Sequence, residues 1–125
     1  MTAEQPLTTG DLGQFIGSDQ LFRHALSRNH LYTEGVQFVA ERAGAYWLLD
    51  KIALHASPAI AREDFQVWKL GVRRDQTATL TTDNGDNDIL KTEELPFTDF
   101  PLSEITLWAV RNEFEGFTIM LPGEY

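Results

Sequence analysis

Between Thr33 and His55 the apolar residues recur with the period of a helix. Ala45, Leu48, Leu49, Ile52 and Ala53 follow i, i+3, i+4, i+7, i+8, which is one helix face. Tyr46, Trp47 and Leu54 widen that stripe, so only Asp50, Lys51 and His55 stay polar, and a helix this apolar needs cover on more than one side. Upstream, Val36, Val39, Ala40 and Ala43 form a narrower stripe behind Thr33. The Thr33 hydroxyl can accept from the free N–H groups of a first turn, and Glu34 suits the helix dipole there. Gly44 interrupts the pattern. A glycine inside a helix costs about 1 kcal/mol relative to alanine, so the spacing predicts two helices, 34–43 and 45–55, with one bent helix as the alternative.

The flanking segments carry weaker patterns. Residues 1–6 read as a loose end. Leu7 to Leu12 reads as a helix start, with Thr8 as cap, Asp11 at the third position and Leu7 able to staple onto Leu12. Leu12, Phe15 and Ile16 then share one face of a short helix that Gly17 ends. Residues 21–26 fit a strand or a helix, and 27–30 a turn. Pro58 suits the first position of a helical turn at 58–62.

From Phe65 the period changes from 3.6 to 2. Trp68, Leu70 and Val72 share one face of a strand, and the β-branched run Thr77–Thr82 is a second. Asn84-Gly85 matches a two-residue type I′ turn, which would place Asp83 opposite Asp86, Leu80 opposite Ile89 and Thr79 opposite Leu90. Residues 95–101 hold two prolines and two aromatic anchors, Phe97 and Phe100, and read as a loop crossing the fold edge. Ile105, Leu107 and Ala109 alternate with Thr106, Trp108 and Val110. Asn112–Gly116 is a turn, and Phe117, Ile119 and Leu121 mark a last strand ended by Pro122. This order predicts one α+β domain over 1–125, with N-terminal helices on one face of a mainly antiparallel sheet of about five strands. Trp68 and Trp108 are expected on the sheet side of that interface.

Charge adds an asymmetry. The 125 residues carry a net charge of −9. Residues 1–82 hold nine acidic and eight basic side chains, whereas residues 83–125 hold ten and two. Phosphates would be repelled by the second half, so a basic protein is a better expected partner than nucleic acid or an anionic membrane. The plainer account is that these acids only keep the protein in solution. There are no cysteines, which removes disulfides and thiolate chemistry. The first residues have neither a basic nor an apolar stretch, and no apolar run approaches the ~20 residues of a membrane helix. The expected location is cytoplasmic.

Catalytic and metal motifs fail one by one. His24, His30 and His55 form no HExxH and no pair at ligand spacing, so neither metal nor cofactor is expected. His24 reads as a partly buried structural residue and His55 as a cation at a helix C-terminus. Residues 83–88 resemble a calcium loop only superficially, because the glycine and the third and fifth positions fall wrongly. Glu93 and Glu94 are adjacent in a strand and must face opposite ways.

Leu31-Tyr32-Thr33 with Gly35, then Ala40-Glu41 and the run Ala43 to Asp50, resemble a family of small uncharacterised proteins of bacteria, phages and plasmids. Gly17, Phe22 and His24 upstream, and Phe65 with Trp68-Lys69-Leu70 downstream, are similar to the same family, from about Thr9 onward. The resemblance implies a domain of unknown function, with mobile elements as its setting, and brings no activity, cofactor or catalytic residue.

Two functional expectations follow. The first is a non-catalytic, acidic interaction domain, an anti-defence factor or nucleic-acid mimic among its forms. Its face would be built from Asp83, Asp86, Asp88, Glu93, Glu94, Glu113 and Glu115. The second is a small-molecule binder or enzyme using a cluster of Arg23, His24, Tyr32 and Tyr46. For these aromatics the plainer account is the core itself.

Overall fold

The computed structural model describes residues 7–12, 20–86 and 88–125. A short helix α1 (Thr9–Leu12) is followed by strands β1 (Leu21–Arg23) and β2 (Leu31–Thr33). Helices α2 (Glu34–Ala43), α3 (Tyr46–Leu54) and α4 (Pro58–Ala61) come next. Strands β3 (Phe65–Val72), β4 (Ala78–Asp83), β5 (Ile89–Leu95), β6 (Glu104–Arg111) and β7 (Phe117–Met120) complete the sheet, and a 3-10 turn spans Pro122–Glu124.

Local chemistry sets these boundaries. Thr8 and Asp11 cap each other reciprocally at the start of α1. The predicted face of Leu12, Phe15 and Ile16 and the stop at Gly17 lie largely outside the described residues. Thr33 caps α2 by accepting from Val36 N. Gly44 ends that helix with φ 61°, a conformation disfavoured for a side chain, so two helices form and not one bent helix. Ser57 caps α4 in front of Pro58.

Among the described residues the sheet has seven strands in the order β1-β2-β7-β6-β3-β4-β5, more than the five that alternation reveals. Of the two additional strands, β1 resolves the ambiguous segment 21–26 as a strand at Leu21–Arg23, and β2 has three residues, too few to display a period of 2. The sheet is also mixed, because β2 runs parallel to β7 while the other pairs are antiparallel. Two strands therefore precede the main helices, and α1 aside the helices lie inside the chain order.

One face of the sheet packs on the helices. Trp68, Leu70, Leu80, Ile105, Leu107, Ala109 and Ile119 form one core with Val36, Val39, Leu48, Leu49, Ile52 and Ile60. Gln66, buried in this layer, donates to the Ile60 carbonyl and accepts from the Trp68 indole, so both polar groups are satisfied.

Trp108 is not part of this interface. It pairs with Val67, next to the Trp68–Leu107 pair, and so projects from the opposite face. There its ring meets Phe65 at 5.0 Å and Tyr125 at 5.5 Å.

The β4–β5 connection also differs from the two-residue turn. Gly85 has φ 90°, but Asn84 does not take the positive φ that a type I′ turn requires. Asp83 Oδ1 accepts from Gly85 N, and Asn84 Oδ1 accepts from Asp86 N. These side-chain turns lengthen the loop, so Asp83 pairs with Ile89, Leu80 with Glu93 and Thr79 with Glu94, with a bulge beside Thr82. In the connection after β5, Phe100 is buried, but Phe97 is exposed and anchors nothing.

Candidate functional site

His24 follows β1 directly and is only 4% exposed. Its Nδ1 accepts from Leu26 N at 3.1 Å and Ser27 N at 2.9 Å, which closes the turn back toward β2. A nitrogen that accepts two N–H groups carries no proton, so the ring proton sits on Nε2. Nε2 lies 2.8 Å from Asp50 Oδ1 of α3 and donates to it. Both ring nitrogens are thereby committed, and the imidazole presents no lone pair to a substrate. Its effect is to aim a carboxylate, since the Asp50 side chain remains 50% exposed.

The wall around that carboxylate is aromatic. Tyr32 stacks on Phe22 at 5.7 Å and meets Tyr46 edge-on at 6.5 Å. Tyr46 donates to Glu41 at 2.6 Å. Partial burial, followed by that hydrogen bond, holds the Tyr46 phenol well above its ordinary pKa, so it stays protonated. Arg23 donates to the Arg28 carbonyl, and its guanidinium lies 5.7 Å from the centre of the Phe114 ring. Arg23, His24, Tyr32, Tyr46 and Asp50, with Ala25 and Leu26, line a cleft of about 280 Å³. The four residues grouped from the sequence thus share one cavity. Asp50 was missed, although it lies one helical turn after Tyr46 and is the lone acid in an apolar helix.

The seven acidic residues do not share one face. Glu93 turns toward the helices and pairs with Lys51 at 2.7 Å. Glu94 takes the other face, where hydrogen bonds from Thr79 and then Arg73 hold its carboxyl below the ordinary pKa. Asp83 is 6% exposed and caps its own loop. Asp86, Asp88, Glu113 and Glu115 are exposed. Pairing of Val67 with Asp83 and Phe65 with Val110 places their two turns at the same end of the sheet.

His55 is not the cation expected at the end of α3. Its Nδ1 accepts from Ser57 N at 3.2 Å, and burial, then the nearby Lys91 charge, lowers its pKa. His30 is lowered too, by burial and then by His24 and His55. Among the described residues, no group of three or more histidines and carboxylates could hold a metal ion. No helix among them is long and apolar enough to cross a membrane.

No curated protein and no solved structure matches this chain. A family model does, across residues 6–125, which takes in the cleft, the sheet and the C-terminal turn. The chain belongs to the family of unknown function DUF6876.

Proposed function

We propose that this is a recognition domain that takes up a small cationic group in the His24–Asp50 cleft. The observation that supports it is the buried imidazole, which fixes a half-exposed carboxylate beside two tyrosine rings. A carboxylate with aromatic walls favours an alkylammonium or guanidinium, through charge and through the negative face of each ring. The cavity, at about 280 Å³, suits a ligand or side chain of modest size. With its proton held toward Asp50, His24 acts as a positioning residue rather than a base, so the cleft reads as a binding site and not a catalytic one.

The test is a titration of isotope-labelled protein with small ammonium and guanidinium compounds, followed by amide shifts. Shifts confined to residues near 22–26, Tyr32, Tyr46 and Asp50, and lost in Asp50→Asn, support the reading. Failure of every such cation to bind there removes it.

A second reading retains part of the acidic surface. Asp86, Asp88, Glu113 and Glu115 are exposed on neighbouring turns, and a basic protein would be attracted to that end of the sheet. It requires capture of a basic partner that weakens with salt and with reversal of those four residues.

A further inference from the structure

Strand β5 is the last strand of the sheet and, among the described residues, is hydrogen-bonded to β4 alone. Its seven residues, Ile-Leu-Lys-Thr-Glu-Glu-Leu, therefore present one row of backbone N–H and C=O groups along the outer edge. Ile89 is 62% exposed at the start of that row. We infer that this edge pairs antiparallel with the same edge of a second copy, about a two-fold axis through Thr92.

The argument rests on the order of side chains. Pairing with the helical layers on the same side joins residues of equal parity, so the axis must pass through a residue. An axis at Lys91 would set Lys91 against Lys91, and an axis at Glu93 would set Glu93 against Glu93. The axis at Thr92 sets Lys91 against the partner's Glu93, twice by symmetry. Side chains 91, 93 and 95 share the helix-facing side, as the Ala78–Leu95, Leu80–Glu93 and Thr82–Lys91 pairs establish, and the bulge beside Thr82 puts Ile89 opposite Asp83 instead. On the other face the Glu94 carboxylate is already held by Arg73 and Thr79. The regular ladder ends at the bulge before Lys91 and at Pro96, which has no N–H to donate. Each Glu93 then gains a second cation beside Lys51.

The chain has no cysteine, so a disulfide in Thr92→Cys can form only between copies. Residues directly opposite in an antiparallel pair lie within disulfide range. Thr106→Cys, on the sheet face away from that edge, is the control. Sedimentation of the unmodified chain should give a dimer, and Thr92→Cys should oxidise to a covalent dimer much faster than the control. Lys91→Glu should weaken the dimer about tenfold or more by making both charged pairs repulsive. Adding Glu93→Lys should restore pairing, with circular dichroism confirming the fold of each variant. A chain that stays monomeric, a Thr92→Cys that oxidises no faster than the control, or a dimer indifferent to Lys91→Glu overturns the inference.

Discussion

Thr33 and Glu124 are 91 residues apart in sequence, yet the Thr33 hydroxyl donates to Glu124 Oε1 at 2.5 Å. The same carboxylate accepts from Gly35 N at 3.1 Å and Leu121 N at 3.0 Å, so the C-terminal turn places a negative charge at the N-terminus of α2. Glu124→Ala strands these buried donors and should cost about 1–3 kcal/mol in urea unfolding. Gly35→Ala should cost a similar amount, because its Cβ would lie 2.7 Å from Oε1. Once the carboxylate is gone the methyl has room, so the double variant should be well short of additive. Strict additivity would refute the coupling.

A second close approach involves Gly116. A Cβ there would lie 2.1 Å from the Asn29 carbonyl oxygen, and backbone cannot swing aside as a side chain can. Gly116→Ala should destabilise by about 1–3 kcal/mol and separate the turn at 112–116 from the turn before β2. Hydrogen exchange should show faster exchange at Leu31–Thr33 with β3 little changed. Uniform loss of protection would point to a global cause instead.

The His24 arrangement makes its own forecast. Nitrogen-detected spectra should find the ring proton on Nε2 and none on Nδ1. Replacing His24 with alanine leaves Leu26 N and Ser27 N without an acceptor, a loss of about 1–3 kcal/mol. Asp50→Asn keeps an acceptor for Nε2 and should cost less. A ring protonated on Nδ1 alone would contradict the described network.

Stability should depend on pH through His30 and His55. Both have folded pKa values lowered from 6.5, so the native state binds fewer protons than the unfolded chain just below that pH. Their contribution is complete above pH 6.5 and declines as the pH falls through 6.5 toward the folded values. Melting temperature should therefore fall between pH 7.5 and pH 5.5, and by less in a variant with both histidines replaced by glutamine. An equal fall in that variant would assign the effect elsewhere.

Much of this architecture was legible because it is local. Thr33 and Gly44 are caps and Pro58 opens a helical turn, all chemistry that acts within a few residues, and the alternation from Phe65 needs no distant partner. The parallel pairing of β2 with β7 was not legible, since β2 has only three residues and nothing local joins Leu31 to Thr118. The β4–β5 register failed for a subtler reason. Asn84-Gly85 favours a tight turn, but the Asp83 and Asn84 side chains capture Gly85 N and Asp86 N and hold a wider loop. For the cleft, residue types gave Arg23, His24, Tyr32 and Tyr46 as a group, while Asp50 became visible only when α3 was laid against the turn after β1.

The parallel register of Leu31 with Thr118 also bears on synthesis of the chain. As the polypeptide leaves the ribosome, the β1–β2 hairpin emerges before the other strands and its neighbour β7 after all of them. Until residues 117–124 are made, that hairpin lacks its place in the sheet, and the first turn of α2 lacks the Glu124 carboxylate. A nascent chain interrupted before this point exposes an unpaired strand and an open helix end to chaperones and proteases. Residues 117–124, which follow every other strand in the chain, thus secure the first strands made.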